Sequence, residues 1–408
     1  NSVYVFDFFK FVIKYGENNV FNFQNYLFGD IKISLDYIPY LANEFMPYII
    51  SFLGLTKKCI VVDLDNTLWG GIVGEDGFDG IHLGPQPPGN AFVEFQKYLK
   101  ALSQRGILLA INSKNNFDDA IQVIREHPSM ILKENDFSCM KINWNNKASN
   151  MLEISEELNI GLDSFVFFDD DPVNRELIKE NMPEITTPDL PHDPSLYSEV
   201  IQSLHDFSTF QITSEDTKRG QMYLEQKQRI ESQNSLSDIS EFLKTLNLEI
   251  EIKKTNSFTI PRISQLTLKT NQFNLTTKRY QEDQIQKFSE DNDILINCAQ
   301  IKDKFGDNGI TGVFIVKKTN SDEWFLDTFL LSCRVMGREA EKAMLYFIIN
   351  QAKKNNVKRL KAKFIPTLKN KPIEDFLPSS QFYEENGFWI YDLEKPFNMP
   401  EFLTLREE

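Results

Sequence analysis

An apolar run followed at once by two acids constrains this chain more than any other feature. The run Ile60-Val61-Val62 has the composition of a buried strand in a parallel sheet, and glycines follow within residues 70–77. Asp63 and Asp65 flank Leu64, so both carboxylates leave the strand end on the same side. Ligands of open α/β sheets bind beyond the carboxyl ends of strands, and two close acids repel each other unless a cation lies between them. The stretch therefore predicts a magnesium site, and a strand that ends in an acidic turn is the alternative.

The same stretch resembles a known catalytic motif. Asp63-Leu64-Asp65-Asn66-Thr67 after an apolar strand is similar to the first motif of the haloacid dehalogenase (HAD) phosphatase superfamily. The resemblance implies that Asp63 is the nucleophile that accepts the phosphoryl group and that Asp65 is the general acid and base. It also implies that Thr67 belongs to the same phosphate-binding loop.

Two further polar strand ends follow in the order that the superfamily pattern has. The apolar run 107–111 leads to Ser113, and a hydroxyl at a strand end can donate a hydrogen bond to a phosphate oxygen. Lys147 precedes a predicted helix over 148–158 and would hold the phosphate while offsetting the acids. The resemblance implies these roles. A capping serine and an ordinary surface lysine are the alternatives.

The fourth motif is an apolar run over 164–168 that ends in three consecutive acids. Such acids are costly at a strand end without a cation. The resemblance implies that Asp170 binds Mg²⁺ together with Asp63 and the carbonyl of Asp65, with Asp169 in a supporting position. Only a glycine-rich flap separates the first two motifs, which predicts a capless domain whose site admits large substrates.

The pattern changes from position 248 onwards. Antiparallel strands are predicted, then a strand, an arginine-rich loop and a helix, and finally the segment FYEENGF. This order resembles the GNAT acyltransferase fold, in which an Arg/Gln-x-x-Gly-x-Gly/Ala loop cradles the pyrophosphate of a pantetheine cofactor. Arg334 and Gly337 fit that loop, but Glu339 stands at its last position, which disfavours ordinary acetyl-CoA binding. The predicted fold class is α/β, with a capless HAD-like Rossmannoid parallel sheet followed by a GNAT-like α+β domain.

Composition and turn signals give the predicted domain boundaries. The polar helical stretch in the middle of the chain carries Arg219, Tyr223, Gln226 and Arg229 on roughly one face, to which we assign no role in binding. The predicted parts are an N-terminal extension, the HAD-like domain, a helical linker, the GNAT-like domain and a tail, over residues 1–56, 57–205, 206–246, 247–395 and 396–408.

Four segments taken together are similar to the FkbH-like family: KKCIVVDLDNTLWGGIVGEDG, TNQFNLTTKRY, FGDNGITGVF and LLSCRVMGRE. The resemblance implies an enzyme that takes 1,3-bisphosphoglycerate, a glycolytic acyl phosphate, and removes phosphate. Such an enzyme holds the glyceryl group, or a related lactyl group, as a thioester on its own cysteine. It then passes the group to the phosphopantetheine thiol of an acyl carrier protein in polyketide-type biosynthesis.

Cys333 is the predicted site of that thioester. It lies in the loop before a helix, where Arg334, Arg338 and the helix N-terminus would favour the nucleophilic thiolate. Both arginines are also candidates for the acyl pocket. The alternative for Cys333 is a buried apolar cysteine. Cys59 and Cys298, which lie beside or inside predicted strands, are interpreted as core residues.

Further candidates for the acyl pocket come from two polar segments of the second domain. Asn271, Phe273 and Asn274 would line the pocket, and Asp307 and Asn308 would orient the acyl group or activate the incoming thiol. Turn residues that only support neighbouring strands are the alternative for both segments.

Charge and cysteine content limit the classes of binding partner and the cellular compartment that we expect. A net charge of −15 argues against nucleic-acid binding, and no apolar run is long enough to span a membrane. Four cysteines without a CxxC pair fit free thiols in the reducing cytoplasm. The first residue is Asn rather than Met, so we expect that the chain can be a domain cut from a larger synthase.

Two other classes of function remain as hypotheses. The chain can be a plain Mg²⁺-dependent phosphatase whose second domain docks a protein. It can also be an acyltransferase on a degenerate HAD scaffold, although the intact Asp63, Asp65, Ser113, Lys147 and Asp170 argue against this.

Overall fold

The first domain is built on a four-stranded parallel sheet. The computed structural model describes residues 4–210, 212–234 and 238–408. The strands lie in the order β3-β2-β1-β4 and comprise β1 Cys59–Val62, β2 Leu108–Ser113, β3 Phe137–Ile142 and β4 Phe165–Phe168. Helices cover both faces of the sheet, so the strands are apolar on both sides, as the sequence predicts. All carboxyl ends meet at one edge of the sheet, and all amino ends meet at the other.

Helices surround the first sheet and lead into the second domain. Up to the first strand they are α1 Phe8–Tyr15, α2 Glu17–Val20, α3 Phe23–Gly29 and α4 Ile38–Leu53. Around the sheet they are α5 Val73–Asp76, α6 Gly89–Gln104, α7 Phe117–Glu126, α8 Lys147–Leu158, α9 Pro172–Asn181 and α10 Tyr197–Ser203. The polar linker contains α11 Ser214–Thr217, α12 Arg219–Asn234 and α13 Ile239–Thr245. The predicted glycine-rich flap contains α5 and is tied by a bridge between Gly70 and His82.

The second domain is built on a mixed sheet in the order β11-β12-β10-β9-β8-β7-β5-β13, with β6 paired to β9. Its strands are β5 Glu249–Lys254, β6 Phe273–Asn274, β7 Ile294–Asp303, β8 Gly306–Lys317, β9 Glu323–Leu331, β10 Arg359–Ala362, β11 Tyr383–Glu385, β12 Phe388–Asp392 and β13 Thr404–Glu407. Its helices are α14 Ile260–Lys269, α15 Glu282–Glu290, α16 Ala340–Lys354 and α17 Phe376–Ser379. The main core of this domain lies between the sheet and α16, around Phe314, Phe329 and Ile348.

Short 3-10 helices complete the secondary structure. They lie at Leu35–Tyr37, Glu134–Asp136, Leu162–Ser164, Pro194–Leu196, Cys333–Val335 and Lys371–Ile373. The one at Cys333–Val335 connects β9 to the loop before α16, so it places Cys333 beside the first domain.

The predicted fold class is confirmed: a parallel sheet is followed by a mixed sheet with a helix on its core. Two local expectations differ from the structure. The segment predicted as a turn over 305–310 already belongs to β8 from Gly306, because the hairpin between β7 and β8 turns at 304–305. Residues 396–408, predicted as a tail, include β13, which pairs in parallel with β5.

The two domains meet at the amino ends of β1 and β4. The Asn159 side chain donates a hydrogen bond to the backbone carbonyl of Cys333 (2.9 Å), and Lys369 pairs with Asp163. Within the described residues, no helix is long and apolar enough to cross a membrane. The domain contact matters for function because it encloses the cavity described below.

Candidate active site and thiol cavity

Three carboxylates converge at the carboxyl ends of β1 and β4. Asp63, Asp169 and Asp170 each direct an oxygen into a space in which these atoms all lie within 4.8 Å of one another. Burial, followed by the charges of Asp63 and Asp169, raises the pKa of Asp170 to about 6. A cation bound among these oxygens would relieve the repulsion between the carboxylates.

Lys147 supplies a positive charge inside this acidic cluster. Its side chain is 1% exposed, and its ammonium lies 2.7 Å from Asp63 Oδ2 and also contacts Asp169. Asn146 caps α8 by accepting a hydrogen bond from the amide of Ala148, which fixes Lys147 at the first turn. The lysine therefore neutralises part of the negative charge of the cluster.

The donor set fits the predicted Mg²⁺. Asp63 Oδ1 is buried and receives no hydrogen bond from any described residue, so this oxygen is free to bind a cation. Mg²⁺ prefers oxygen ligands of this kind. Asp63 and Asp170, with the carbonyl of Asp65, are the groups that would hold the ion, while Asp169 is engaged by Lys147.

Asp65 is held in a single orientation by three donors. Its Oδ1 accepts hydrogen bonds from Trp69 Nε1 (2.8 Å) and the amide of Val73 (3.1 Å), and its Oδ2 accepts one from Asn115 (2.8 Å). Burial raises the pKa of Asp65, as the predicted role of a general acid and base would require. Sequence reasoning missed Trp69 and Asn115, although Asn115 lies in the polar run that follows β2.

The remaining motif residues close the site. The Thr67 hydroxyl accepts a hydrogen bond from the amide of Asp170 (3.2 Å), so it fixes the loop after β4 as well as its own. Ser113 is buried at the carboxyl end of β2, on the same edge of the sheet. Arg175, which the sequence did not single out, donates to the carbonyls of Asp169 and Asp170. The structure thus brings the four predicted motifs together, and their catalytic roles stay predictions.

A second site lies between the two domains, at the opposite end of the parallel sheet. It is a cavity of about 550 Å³, and Cys333 is on its wall. Lys58 and Ser164, the residues immediately before β1 and β4, line it. Its other polar lining residues are Asn159, Asp163, Glu184, Arg219, Tyr223, Arg262, Gln265, Lys269, Thr270, Asn271, Gln272, Ser332, Arg334 and Lys369.

This cavity is strongly cationic. Six lysines and arginines line it against two acids, and one of those acids, Asp163, pairs with Lys369. Burial, followed by the charge of Arg219, lowers the pKa of Lys269 to about 7. Burial, followed by the charge of Arg334, lowers the pKa of Arg262 to about 9. The free cavity therefore carries an unbalanced positive charge, which an anionic ligand would relieve.

Cys333 is the cysteine of this chain that a substrate can reach. Cys59, Cys139 and Cys298 are buried, and burial raises the pKa of each thiol. Cys333 is half-buried and borders the cavity. Tyr223, from α12, lies within hydrogen-bonding reach of its sulfur, and burial followed by that sulfur's charge raises the pKa of the tyrosine well above its usual value.

Comparison with solved structures returns both domain types. The chain aligns at 42% identity and a TM-score of 0.47 with the N-terminal part of a Bacteroides fragilis protein that contains a phosphatase domain complexed with Mg; the alignment covers 49% of this chain and 54% of that one. The chain also aligns with the Escherichia coli ribosomal-protein-S18-alanine N-acetyltransferase at 12% identity and a TM-score of 0.29, over 36% of this chain and 96% of that one. No family model and no curated protein matches.

The fold joins a domain with a four-stranded parallel sheet to a domain with a mixed sheet, which is the architecture that the sequence predicts. The chain spans about half the length of the Bacteroides fragilis chain that it matches. The carboxylate cluster lies in the first domain, and Cys333 lies on the wall of a cavity that residues of both domains line.

Of the predicted acyl-pocket residues, Asn271 and Arg334 line the cavity. Phe273 and Asn274 do not, because they form β6 and pair with the end of β9. Phe273 packs in the aromatic core against Phe376, and the Asn274 amide is used by backbone groups of the same segment. The Phe273 ring therefore contributes to the core packing, and the Asn274 amide stabilises the backbone next to the sheet.

Three more of the predicted residues also lie outside the cavity. Asn308 is buried and donates to the carbonyl of Ile301, and Asp307 is exposed and accepts from Gln300. Arg338 turns away from the thiol because Asp303, on β7, binds its guanidinium at 3.0 Å. These placements correct the predicted pocket.

Sequence reasoning missed the cations of the cavity. Lys58 lies directly before the nucleophile strand, and Lys269 ends α14 in a different domain, so no local pattern connects them. Arg219 and Tyr223 were recognised as sharing a face of the linker helix, and that face contacts the cavity. The sequence did not show which part of the chain this face of the helix contacts.

Proposed function

We propose that this enzyme removes one phosphate from 1,3-bisphosphoglycerate or a related three-carbon acyl phosphate and transfers the acyl group through Cys333 to a carrier-protein thiol. The observation that supports the proposal is the position of a half-buried thiol in a cationic cavity between the two domains. A thiol in such surroundings suits a small anionic substrate that is activated for acyl transfer.

The HAD-like site acts on the phosphate ester. An oxygen of Asp63 attacks the phosphorus, the bond from phosphorus to the substrate oxygen breaks, and that oxygen takes a proton from Asp65. Water then attacks the aspartyl phosphate and gives its proton to Asp65, which releases inorganic phosphate. Magnesium bound by Asp63 and Asp170 would supply positive charge at this position. The Bacteroides fragilis protein of 42% identity was crystallised with Mg.

The acyl phosphate must survive this step, because its cleavage drives thioester formation. The Cys333 sulfur attacks the carbonyl carbon, a carbon–sulfur bond forms, and the carbon–oxygen bond to phosphate breaks. Phosphate leaves with the electron pair and takes the thiol proton. Tyr223 is placed to hold the sulfur during the attack.

Transfer to a carrier completes the reaction. The thiol of a phosphopantetheine arm attacks the same carbon, the bond from carbon to Cys333 breaks, and the cysteine sulfur takes up the proton of the incoming thiol. Thioester exchange is nearly thermoneutral, so the group moves on when the carrier is present. The departure at Glu339 from the usual cofactor loop is consistent with a protein-bound arm in place of free acetyl-CoA.

Intact-protein mass spectrometry tests the proposal. After incubation with Mg²⁺ and 1,3-bisphosphoglycerate, the parent protein should carry one glyceryl group that hydroxylamine removes. Cys333→Ala should carry none, whereas Cys298→Ala, which changes a buried cysteine of the GNAT-like domain, should behave as the parent. Phosphate release without any adduct, and without loading of a carrier, would exclude the thioester route.

A second candidate is a plain phosphatase with a docking domain. It is favoured by the separation of the two sites, since the acidic cluster lies at the carboxyl end of the sheet and the cavity at the amino end. The five residue-to-residue steps from Lys58 to Asp63 span ~16 Å at ~3.3 Å per residue of strand. A substrate fixed on Cys333 cannot reach Asp63, so the proposal requires that the intermediate move between the sites.

A further inference from the structure

The thiol cavity contains more cationic side chains than the binding of a neutral acyl group requires. Glyceryl and lactyl groups carry no charge, yet the cavity around Cys333 collects six cationic side chains. Burying several like charges together costs free energy. Burial, followed by the charge of Arg219, accordingly lowers the pKa of Lys269. A cluster of this kind is stabilised when an anion binds it.

Two of the lysines share one corner of the cavity. Lys58 lies before β1, Lys269 ends α14, and the Lys58 ammonium donates to the backbone carbonyl of Lys269 at 3.3 Å. Their charges act on each other, and Lys58 also lies close enough to Cys333 for the two charges to interact. Across residues 4–210, 212–234 and 238–408, neither lysine forms an ion pair; Asp216, whose charge acts on Lys269, is paired with Arg219.

Arg334 adds a third cation that no carboxylate neutralises. Its side chain is 8% exposed, and its polar contacts in the described chain are the Ser332 hydroxyl at 3.5 Å and the sulfur of Met222. A buried guanidinium normally binds a carboxylate or a phosphate. Here the group follows the nucleophile directly in sequence and faces the same cavity.

We propose that Lys58, Lys269 and Arg334 form a phosphoryl-binding subsite that holds the leaving phosphate of the acyl donor against Cys333. The proposal rests on the proposed function, and it names which form of the substrate the cavity takes: an acyl group still joined to phosphate. When the carbon–oxygen bond breaks, the phosphate gains charge, and the three cations stabilise it.

With this subsite, the two phosphates of the substrate are released at opposite ends of the parallel sheet. The ester phosphate is removed at Asp63, and the acyl phosphate leaves at Cys333, so the two releases are independent events. The phosphodiester of a phosphopantetheine arm is another source of the same chemistry. However, the full length of the phosphopantetheine arm separates that phosphodiester from the thiol of the arm, whereas the leaving phosphate is one oxygen away from the attacked carbon.

Protection of Cys333 from alkylation tests the subsite without any acyl transfer. Inorganic phosphate should slow the reaction of Cys333 with iodoacetamide at least fivefold at saturation, as followed by peptide mass spectrometry. Lys269→Gln and Lys58→Gln should each lose this protection. Lys57→Gln removes the same charge from a side chain that contacts the Glu184 carbonyl, and it should keep the protection, as should Asp63→Asn.

The outcomes separate the subsite from the proposed function. Phosphate release at the HAD-like site reports whether each lysine variant is folded. Protection by phosphate without acylation of Cys333 would keep the subsite and remove the thioester. Acylation without protection, or protection that survives in both lysine variants, would overturn the subsite. Protection by phosphopantetheine but not by inorganic phosphate would also overturn it, because the cations would then belong to the carrier arm.

Discussion

Asp63 and Cys333 lie at opposite ends of the four-stranded parallel sheet. Asp63 follows the carboxyl end of β1, whereas Cys333 shares its cavity with Lys58 and Ser164, which precede β1 and β4. Two reactive groups placed in this way cannot act on one bound molecule at the same time. The proposed function therefore requires two sites between which an intermediate moves, and mutation should separate the two sites.

The phosphatase reaction should survive loss of the thiol. Cys333→Ala should release inorganic phosphate from 4-nitrophenyl phosphate at a rate within about twofold of the parent, since the substitution lies at the far end of the sheet. Asp63→Asn should lose at least a thousandfold, because the nucleophile is gone. A Cys333→Ala protein that is folded, by circular dichroism, yet inactive would show that the two sites are coupled.

Asn115 should act as a positioning residue for Asp65. Asn115→Ala removes a hydrogen bond to a carboxylate, worth about 1.5–3 kcal/mol, so kcat should fall about 10- to 100-fold with little change in KM. Since that hydrogen bond lowers the pKa of Asp65, its loss should move the limb of the kcat profile that reports Asp65 to higher pH. Asn116→Ala, which removes an amide bound to Asp119, is the matched control. An unshifted pH profile would limit Asn115 to a structural role.

Anion binding in the cavity should weaken as pH rises. The pKa of Lys269 is about 7, below its usual value, so its ammonium is charged at lower pH and neutral above that value. The charged groups around it are Arg219, Asp216, Lys58 and Arg262. Sulfate is a suitable probe because its own charge does not change in this range. Its concentration for half-maximal protection of Cys333 should be several-fold higher at about pH 8.5 than at about pH 6, and Lys269→Gln should remove the difference.

Asp303 should be essential for the stability of the domain contact with the linker helix. Its side chain is fully enclosed and binds Arg229 at 2.7 Å and Arg338 at 3.0 Å. Asp303→Ala removes the carboxylate that two buried guanidinium groups share and should lower the free energy of unfolding by about 3–5 kcal/mol, measured by urea titration. Asp307→Ala, at an exposed carboxylate a few residues further on, should cost under about 0.5 kcal/mol. Equal effects of the two substitutions would contradict this role.

The HAD-like site was predictable because its residues follow strands. Asp63, Ser113 and Asp170 come at the ends of apolar runs, and the carboxyl ends of parallel strands meet at one edge of a sheet. The order of the motifs along the chain therefore encodes their proximity. The donors that orient Asp65 were not predictable, because Trp69 and Asn115 reach it by side-chain conformation rather than by strand position.

The thiol cavity was predictable only in Cys333, Arg334 and Asn271. Its remaining cations come from the loop before β1, from α12, from α14 and from the loop after β10, and they meet because of how the two domains pack. Phe273 and Arg338 show the opposite error, because the sequence predicts them in the pocket and the structure places them outside it. Both lie in segments that resemble a family motif, yet pairing with β9 and binding to Asp303 direct them elsewhere.

The most direct test of two separate sites is the intact mass of Asp63→Asn after incubation with Mg²⁺ and 1,3-bisphosphoglycerate. We predict a single adduct on Cys333 that still carries the ester phosphate, because the thiol and its cations work without the HAD-like site. The parent protein, treated in the same way, should carry the glyceryl group without phosphate. An Asp63→Asn protein that stays unmodified, although folded, would contradict the account, because acylation of Cys333 would then depend on the carboxylate at the other end of the sheet.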